Sequence, residues 1–286
     1  MSAVGLIVVF GCVFGVFVAH GGDLAPIIQA APSELATIGG AAVGAMLVGN
    51  GMDTIKGVGG GLGKVFSGPT YHKQDYLDVI FLVSRLLKIL RVDGPVALES
   101  HVEDPHSSAI FAEYPKLMKD HTLIHMITDT IRLMVVSSGG LNAYAVDDVL
   151  DIAVKHHHHE AMRPVEALAA TAGACPALGI VACVLGVVKT MGAIDQPPPV
   201  LGALIGSALV GTFMGVLLAY GVIEPMGGRL KQIIDDDAEI YGVVRQLIVA
   251  TLHGHPQPLV IEAARSGIGH HNKPSFGEVF DGLRGK

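Results

Sequence analysis

The chain has 286 residues, of which 50% are hydrophobic and only 16% charged, against about 25% charged in a soluble domain. With a mean hydropathy of +0.52, this composition excludes a disordered chain and argues for a membrane protein over a soluble enzyme. The net charge of −7 leaves no chain-wide basic field for nucleic acid. The 37 glycines suit closely packed membrane helices.

In chain order, four uncharged stretches approach the roughly 20 apolar residues that a helix needs to cross a bilayer core. They run from Met1 to Ala19, Leu35 to Met52, Ala167 to Val188 and Val200 to Ile223. The first lacks the basic start and the cleavage site of a signal peptide, and the second is the shortest and rich in glycine. None of the four contains Asp or Glu. Ion relays through membranes ordinarily use titratable side chains, so any titrating group is expected from another chain.

The connections set the orientation. Segments 20–34 and 192–199 hold no Lys or Arg, whereas 53–166 holds eleven and 224–286 holds seven. Lys56, Lys64, Arg163, Arg229 and Lys231 sit near span ends, and by the positive-inside rule both termini and the long loop are expected in the cytoplasm. The expected fold is an all-α membrane protein with four transmembrane helices. Spans 1 and 2 occupy 1–52, a cytoplasmic helical domain 53–166, spans 3 and 4 167–223, and a cytoplasmic helix and tail 224–286. The pairs Gly40/Gly44, Gly202/Gly206 and Gly211/Gly215 each lie on one helix face, where small residues let membrane helices approach.

In the charged half, the apolar run from Leu77 to Leu90 predicts a helix ending at Arg91-Val-Asp-Gly-Pro. Asp93 is the expected cap of the next helix, with Pro95 in its first turn. Leu117 to Met134 predicts one long amphipathic helix, Val146 to Val154 another leading to the third span, and Gly227 to His253 a helix continuing past Pro225. No alternating strand pattern is present.

Several motifs invite chemistry and fail it. The run GVGGGLGK, Gly57 to Lys64, has Val58 at the first P-loop glycine and Val65 at the metal-binding hydroxyl position, and is expected to be a flexible exit loop. His156 to His159 cannot all face one ion on a helix, and His121 with His125 lacks a third ligand. Cys12, Cys175 and Cys183 lie in apolar runs. The last two are about 12 Å apart along a helix, beyond the reach of a disulfide. No catalytic residue, metal or cofactor is expected. Glu99 and Glu103 lie four apart, with Arg91 upstream, on what reads as an exposed charged face.

The opening LIVVFGCVFGVFVAHGGDL and ELATIGGAAVGAM resemble the start of the MotA family, the stator subunits of the bacterial flagellar motor. ALESHVEDPHSSAIFAEYP resembles its cytoplasmic signature, PALGIVACVLGVVKTMG and LVGTFMGVLLAYGVIEP its third and fourth spans, and Pro274–Phe276 its tail. The resemblance implies a multi-pass protein of the bacterial inner membrane, not an enzyme. Such subunits form a ring of five around a MotB-type partner, which supplies the ion-binding aspartate, and they push on the rotor switch protein FliG. It further implies that Arg91 and Glu99 contact the rotor. Pro176, Pro225 and Thr212 would belong to the channel and its coupling, in pore-lining spans 3 and 4. The competing readings are an ExbB/TolQ-like energiser of outer-membrane transport and an autonomous ion channel or transporter.

The coupling ion is expected to be the proton. Sodium-driven relatives such as PomA tend to carry threonine seven residues after the channel proline, where this chain has Ala182-Cys183. A methyl and a thiol are poor ligands for a hard cation that prefers oxygen.

Overall fold

The computed structural model describes residues 1–137 and 141–284. Within them the chain is helical: α1 (Ser2–Ala19), α2 (Ala25–Gly49), α3 (Met52–Ser67), α4 (Lys73–Val92), α5 (Pro95–Glu103), α6 (Ala109–Ala112), α7 (His121–Val136), α8 (Ala143–Met191), α9 (Pro198–Val216), α10 (Glu224–Leu252), α11 (Gln257–Ser266) and α12 (Phe276–Arg284). A 3-10 turn, Leu117–Lys119, precedes α7, and a π-helical stretch, Leu217–Ile223, joins α9 to α10. No strand occurs among the described residues. Four helical stretches are long and apolar enough to cross a membrane: Ser2–Ala19, Ala25–Gly49, Ala143–Met191 and Pro198–Leu252. The contacts divide the chain into two compact units, 1–68 with 161–233 and 69–160 with 234–286.

In the first unit, α1 stops where Gly21 takes a φ of +81° and the Gly22 N–H returns to the Phe17 carbonyl at 2.9 Å. A Cβ on Gly22 would sit 2.6 Å from the Phe17 ring, so both glycines of the His20-Gly-Gly turn are needed. Helix α2 then starts at Ala25, well before the expected Leu35. The Asp23 carboxylate accepts the Ala25 N–H at 2.9 Å, and Pro26 fits the first turn. Helix α2, one of the candidate spans, therefore includes Glu34, which the apolar stretch beginning at Leu35 leaves out.

The glycine run after α2 is also not a flexible loop, because Gly57 to Lys64 lies inside α3. Its glycines are packing surfaces. A Cβ on Gly57 would sit 2.6 Å from Pro164 Cγ, and one on Gly61 2.6 Å from Leu230 Cδ2. Val58, Gly61 and Val65 form the buried face of α3, and Ser2 donates its hydroxyl to the Val65 carbonyl at 3.0 Å.

The second unit packs α4, α5, α7 and parts of α8, α10, α11 and α12 around a core that includes Tyr76, Leu82, Leu86, Leu98, Phe111, Ile127 and Leu247. Helix α4 opens with a reciprocal cap between His72 and Asp75, and Lys116 holds the buried Asp75 carboxylate at 2.5 Å. It ends where the Asp93 and Gly94 N–H groups both return to the Ile89 carbonyl, with Gly94 at φ +84°. Asp93 thus terminates α4 and does not cap α5, whose N-cap is Gly94. The expected single helix over 117–134 is split at Asp120, because the Asp120 side chain accepts the Leu123 N–H at 2.9 Å and starts α7 afresh.

Candidate functional sites

The third and fourth apolar segments meet along a seam of small residues. On α8 the series Cys175, Gly179, Ala182, Gly186 recurs at three- and four-residue spacing, one helix face. A Cβ on Gly179 would lie 2.9 Å from the Gly211 carbonyl oxygen and 3.3 Å from the Thr212 Cα. One on Gly215 would lie 2.6 Å from the Cys175 carbonyl oxygen, and one on Gly186 2.6 Å from Ala208 Cβ. Backbone thus meets backbone over several turns, the close approach that small residues permit in lipid. Of the three glycine pairs, only Gly211/Gly215 is used within the chain. Alanines at Gly40, Gly44, Gly202 or Gly206 would meet nothing within 4 Å.

This seam brings together Pro176, Ala182, Cys183 and Thr212. Pro176 is half-buried beside Cys175, inside an α8 that runs on without interruption. Its ring removes one helical N–H and leaves one carbonyl of the preceding turn without its usual donor. Ala182 is buried, and a Cβ at Gly211 would meet it at 3.2 Å and the Cys183 backbone nitrogen at 3.3 Å. Thr212 is half-buried on the adjacent turn of α9.

Pro225 lies further along. It does not stop the helix: α10 runs through it, and the π-helical stretch Leu217–Ile223 immediately precedes it. A proline clashes with the carbonyl four residues back, here that of Gly221. The wider π turn takes up the mismatch, and π segments inside helices recur at functional sites. Sequence periodicity carries no signal for that stretch beyond the proline itself.

Sequence reasoning also missed Glu34. Its position is legible once α2 is known to start at Ala25. Ala30, Ile38 and Ala42 are the buried residues of that helix, and Glu34 falls on the same four-residue stripe. Its Oε2 is enclosed without a hydrogen-bond partner, and a Cβ on Gly211 would sit 2.7 Å from it. The neighbourhood of Ala182 and Cys183 therefore does contain a hard oxygen, which corrects the premise that only a methyl and a thiol stand there.

In the second unit, Arg91 lies in the last turn of α4 and Glu99 in α5, on either side of the Gly94 turn, and both are exposed. Neither forms an ion pair among the described residues, whereas Glu103 and Glu113 do. Glu103 binds Arg132 at 2.7 Å and Glu113 binds Arg85 at 2.5 Å. Arg91 and Glu99 thus keep exposed charges that no ion pair engages among the described residues.

The histidine run shows the four-way splay expected of a helix. His157 and His158 turn partly inward, while His156 and His159 are exposed. His157 lies 4.4 Å from the Tyr241 ring, and His158 pairs with Asp235 at 3.4 Å. Beneath them Asp120 accepts the hydroxyls of Tyr71 and Tyr241. Burial alone would raise the Asp120 carboxyl, but these hydrogen bonds, the Leu123 N–H and nearby His157 hold it below its ordinary value. Burial pushes the His157 imidazole down and both tyrosines up. No group of three metal-ligating side chains occurs among the described residues.

Comparison with known proteins agrees with this layout. Residues 3–94 match the family profile described as Motility protein A N-terminal, and residues 118–241 match the MotA/TolQ/ExbB proton channel family. Motility protein A of Salmonella typhimurium is 38% identical over 98% of this chain and 94% of its own length. Motility protein A of Escherichia coli is 37% identical with the same coverage, and the chemotaxis protein LafT of Vibrio parahaemolyticus is 34% identical over 96% of this chain and 95% of its own. The fold is shared with the MotAB structure of C. jejuni, at TM-score 0.73 and 18% identity, covering 96% of this chain and 98% of that one. It is also shared with the flagellar MotAB stator complex of Bacillus subtilis, at TM-score 0.67 and 19% identity, covering 92% of each chain. With a relative 38% identical over 98% of this chain and 94% of the relative's own length, the chain belongs to the motility protein A family.

Proposed function

We propose that this chain, a stator subunit of the bacterial flagellar motor, works as a proton-driven ring of five copies around a MotB-type partner in the inner membrane. Both termini and the charged half face the cytoplasm in this reading. The observation that carries it is the near-complete match to motility protein A, together with a seam that gathers Pro176, Thr212 and the Ala182-Cys183 pair. Proton coupling is supported by the proton channel family match over 118–241. Each proton crossing about 100 mV releases about 2.3 kcal/mol. Shifting helices that touch through glycine and alanine disturbs few interdigitated side chains, so a step of that size suffices.

Ring assembly is supported by the Gly40/Gly44 and Gly202/Gly206 faces, which no helix of the same chain covers. A second copy or the partner's span fits such faces. Contact with FliG is supported by Arg91 and Glu99, exposed and without ion pairs. The match of residues 3–94 to the N-terminal profile of motility protein A favours the stator over an ExbB/TolQ-like energiser.

The test is complementation of a strain lacking its own stator subunit, with this chain expressed alongside its MotB-type partner. Swimming is expected in sodium-free medium and is expected to stop with a protonophore. Dependence on sodium, or persistence after the proton gradient has collapsed, refutes the proton assignment.

A further inference from the structure

We propose that Glu34 is a proton-carrying group of this chain itself, a station in the conduction path additional to the partner's aspartate; this rests on the stator reading. Glu34 is the only charged residue in α2, and it sits on that helix's buried stripe between Ala30 and Ile38. A carboxylate with a purely peripheral role would turn its charge toward water or headgroups. This one instead points an enclosed, unpartnered oxygen at Gly211, halfway along the apolar stretch from Pro198 to Ile223 and one residue from Thr212. Ionisable groups inside a membrane are costly and are kept where they move ions.

No ion pair to Glu34 occurs among the described residues. α9 carries no charged or titratable residue between Pro198 and Val216, and α8 offers only Cys175 and Cys183 on the facing turns. On α3 the ionisable groups are Asp53, Lys56 and Lys64, and on α2's own approach Asp23, near the helix end. A carboxyl with no cation to neutralise it can hold a proton and pass it on. The proton on the carboxyl oxygen leaves to a neighbouring water or hydroxyl, and the carboxylate is refilled from the other side. Glycine at 211 leaves the space: any larger side chain there would displace the carboxyl. Glu34 as a whole is half-exposed in the single chain, so the exchange faces whatever span packs beside it.

The test uses the full complex of this chain with its MotB-type partner in liposomes, with proton uptake followed by an entrapped pH dye under an imposed potential. Glu34→Gln keeps size and hydrogen-bonding capacity but cannot release a proton. It is expected to co-purify with the partner and to lose flux by about 100-fold, the scale of a lost acid–base group. Glu34→Asp is expected to retain flux with a displaced pH profile. Undiminished flux in Glu34→Gln overturns the proposal. If that variant does not assemble, the native complex is treated with a hydrophobic carbodiimide, which reacts with protonated carboxyls in apolar sites. An adduct on Glu34 that rises as flux falls supports the role, and absence of that adduct overturns it. A native complex that passes no protons overturns the stator reading itself, and the proposal with it.

Discussion

Replacing Gly215 by alanine tests whether the α8–α9 seam is as tight as its geometry states. The new Cβ would lie 2.6 Å from the Cys175 carbonyl oxygen, 3.0 Å from the Gly179 Cα and 3.3 Å from the Gly179 nitrogen. All three are backbone atoms of the opposing helix, so no side chain can rotate away. Carbon contacts settle near 3.5 Å or beyond, so the helices must part by roughly 1 Å. Overpacking of this kind costs about 1–3 kcal/mol, against which alanine's better helix propensity returns about 1 kcal/mol. The net change is a loss of about 0–2 kcal/mol, and relative to a glycine-to-alanine change that gains the propensity without overpacking the deficit is about 1–3 kcal/mol, or about 2–12 °C in the midpoint of unfolding. The assay is loss of the monodisperse species on heating in detergent. Gly228→Ala serves as control, since its Cβ would meet nothing within 4 Å on the same helical run. Equal midpoints for the two variants would refute backbone contact at the seam.

Other expectations follow from the second unit. Reversing Arg91 or Glu99 removes no ion pair, so assembly and thermal midpoint should stay within experimental error while swimming is impaired. Loss of the oligomer in Glu99→Lys, or normal swimming in both single variants, would count against rotor contact. His157 is held below its ordinary 6.5 chiefly by burial, with Asp120 and Glu160 opposing that shift and His156 and His158 adding to it. The folded state therefore binds fewer protons than the unfolded one as pH falls through 6.5, and stability should be full above that value and decline below it. His157→Phe should flatten this dependence, by on the order of a few degrees of midpoint; an unchanged pH slope in that variant would show that His157 is not its source.

Helix identity was legible wherever the apolar pattern was long, and boundaries were not, because capping is decided by local hydrogen bonds that hydropathy does not register. Asp93 reads as a cap from its type and its place before Gly94-Pro95, yet the Gly94 turn claims it as the end of α4. Asp120 sits inside an apolar run, and its carboxylate nonetheless restarts the helix at His121. Gly57 to Lys64 looks like a loop from composition alone. Only the facing Pro164 and Leu230 show why a glycine face can be helical and packed. The exposed pair Arg91 and Glu99 was legible as surface. That Glu103 and Glu113 nearby are already paired is a tertiary fact.

Glu34 escapes a reading by hydropathy because it borders the apolar run instead of lying within it. The uncharged run begins at Leu35, so hydropathy alone starts the second span one residue beyond the carboxylate. The helix itself starts where Asp23 accepts the Ala25 N–H, a choice made by a hydrogen bond and indifferent to the charge that follows. Once the start moves to Ala25, Glu34 must fall on the stripe of Ala30, Ile38 and Ala42 by the four-residue repeat alone. In a chain that moves ions, the charged residue at the edge of an apolar run is the one to test for a place inside it.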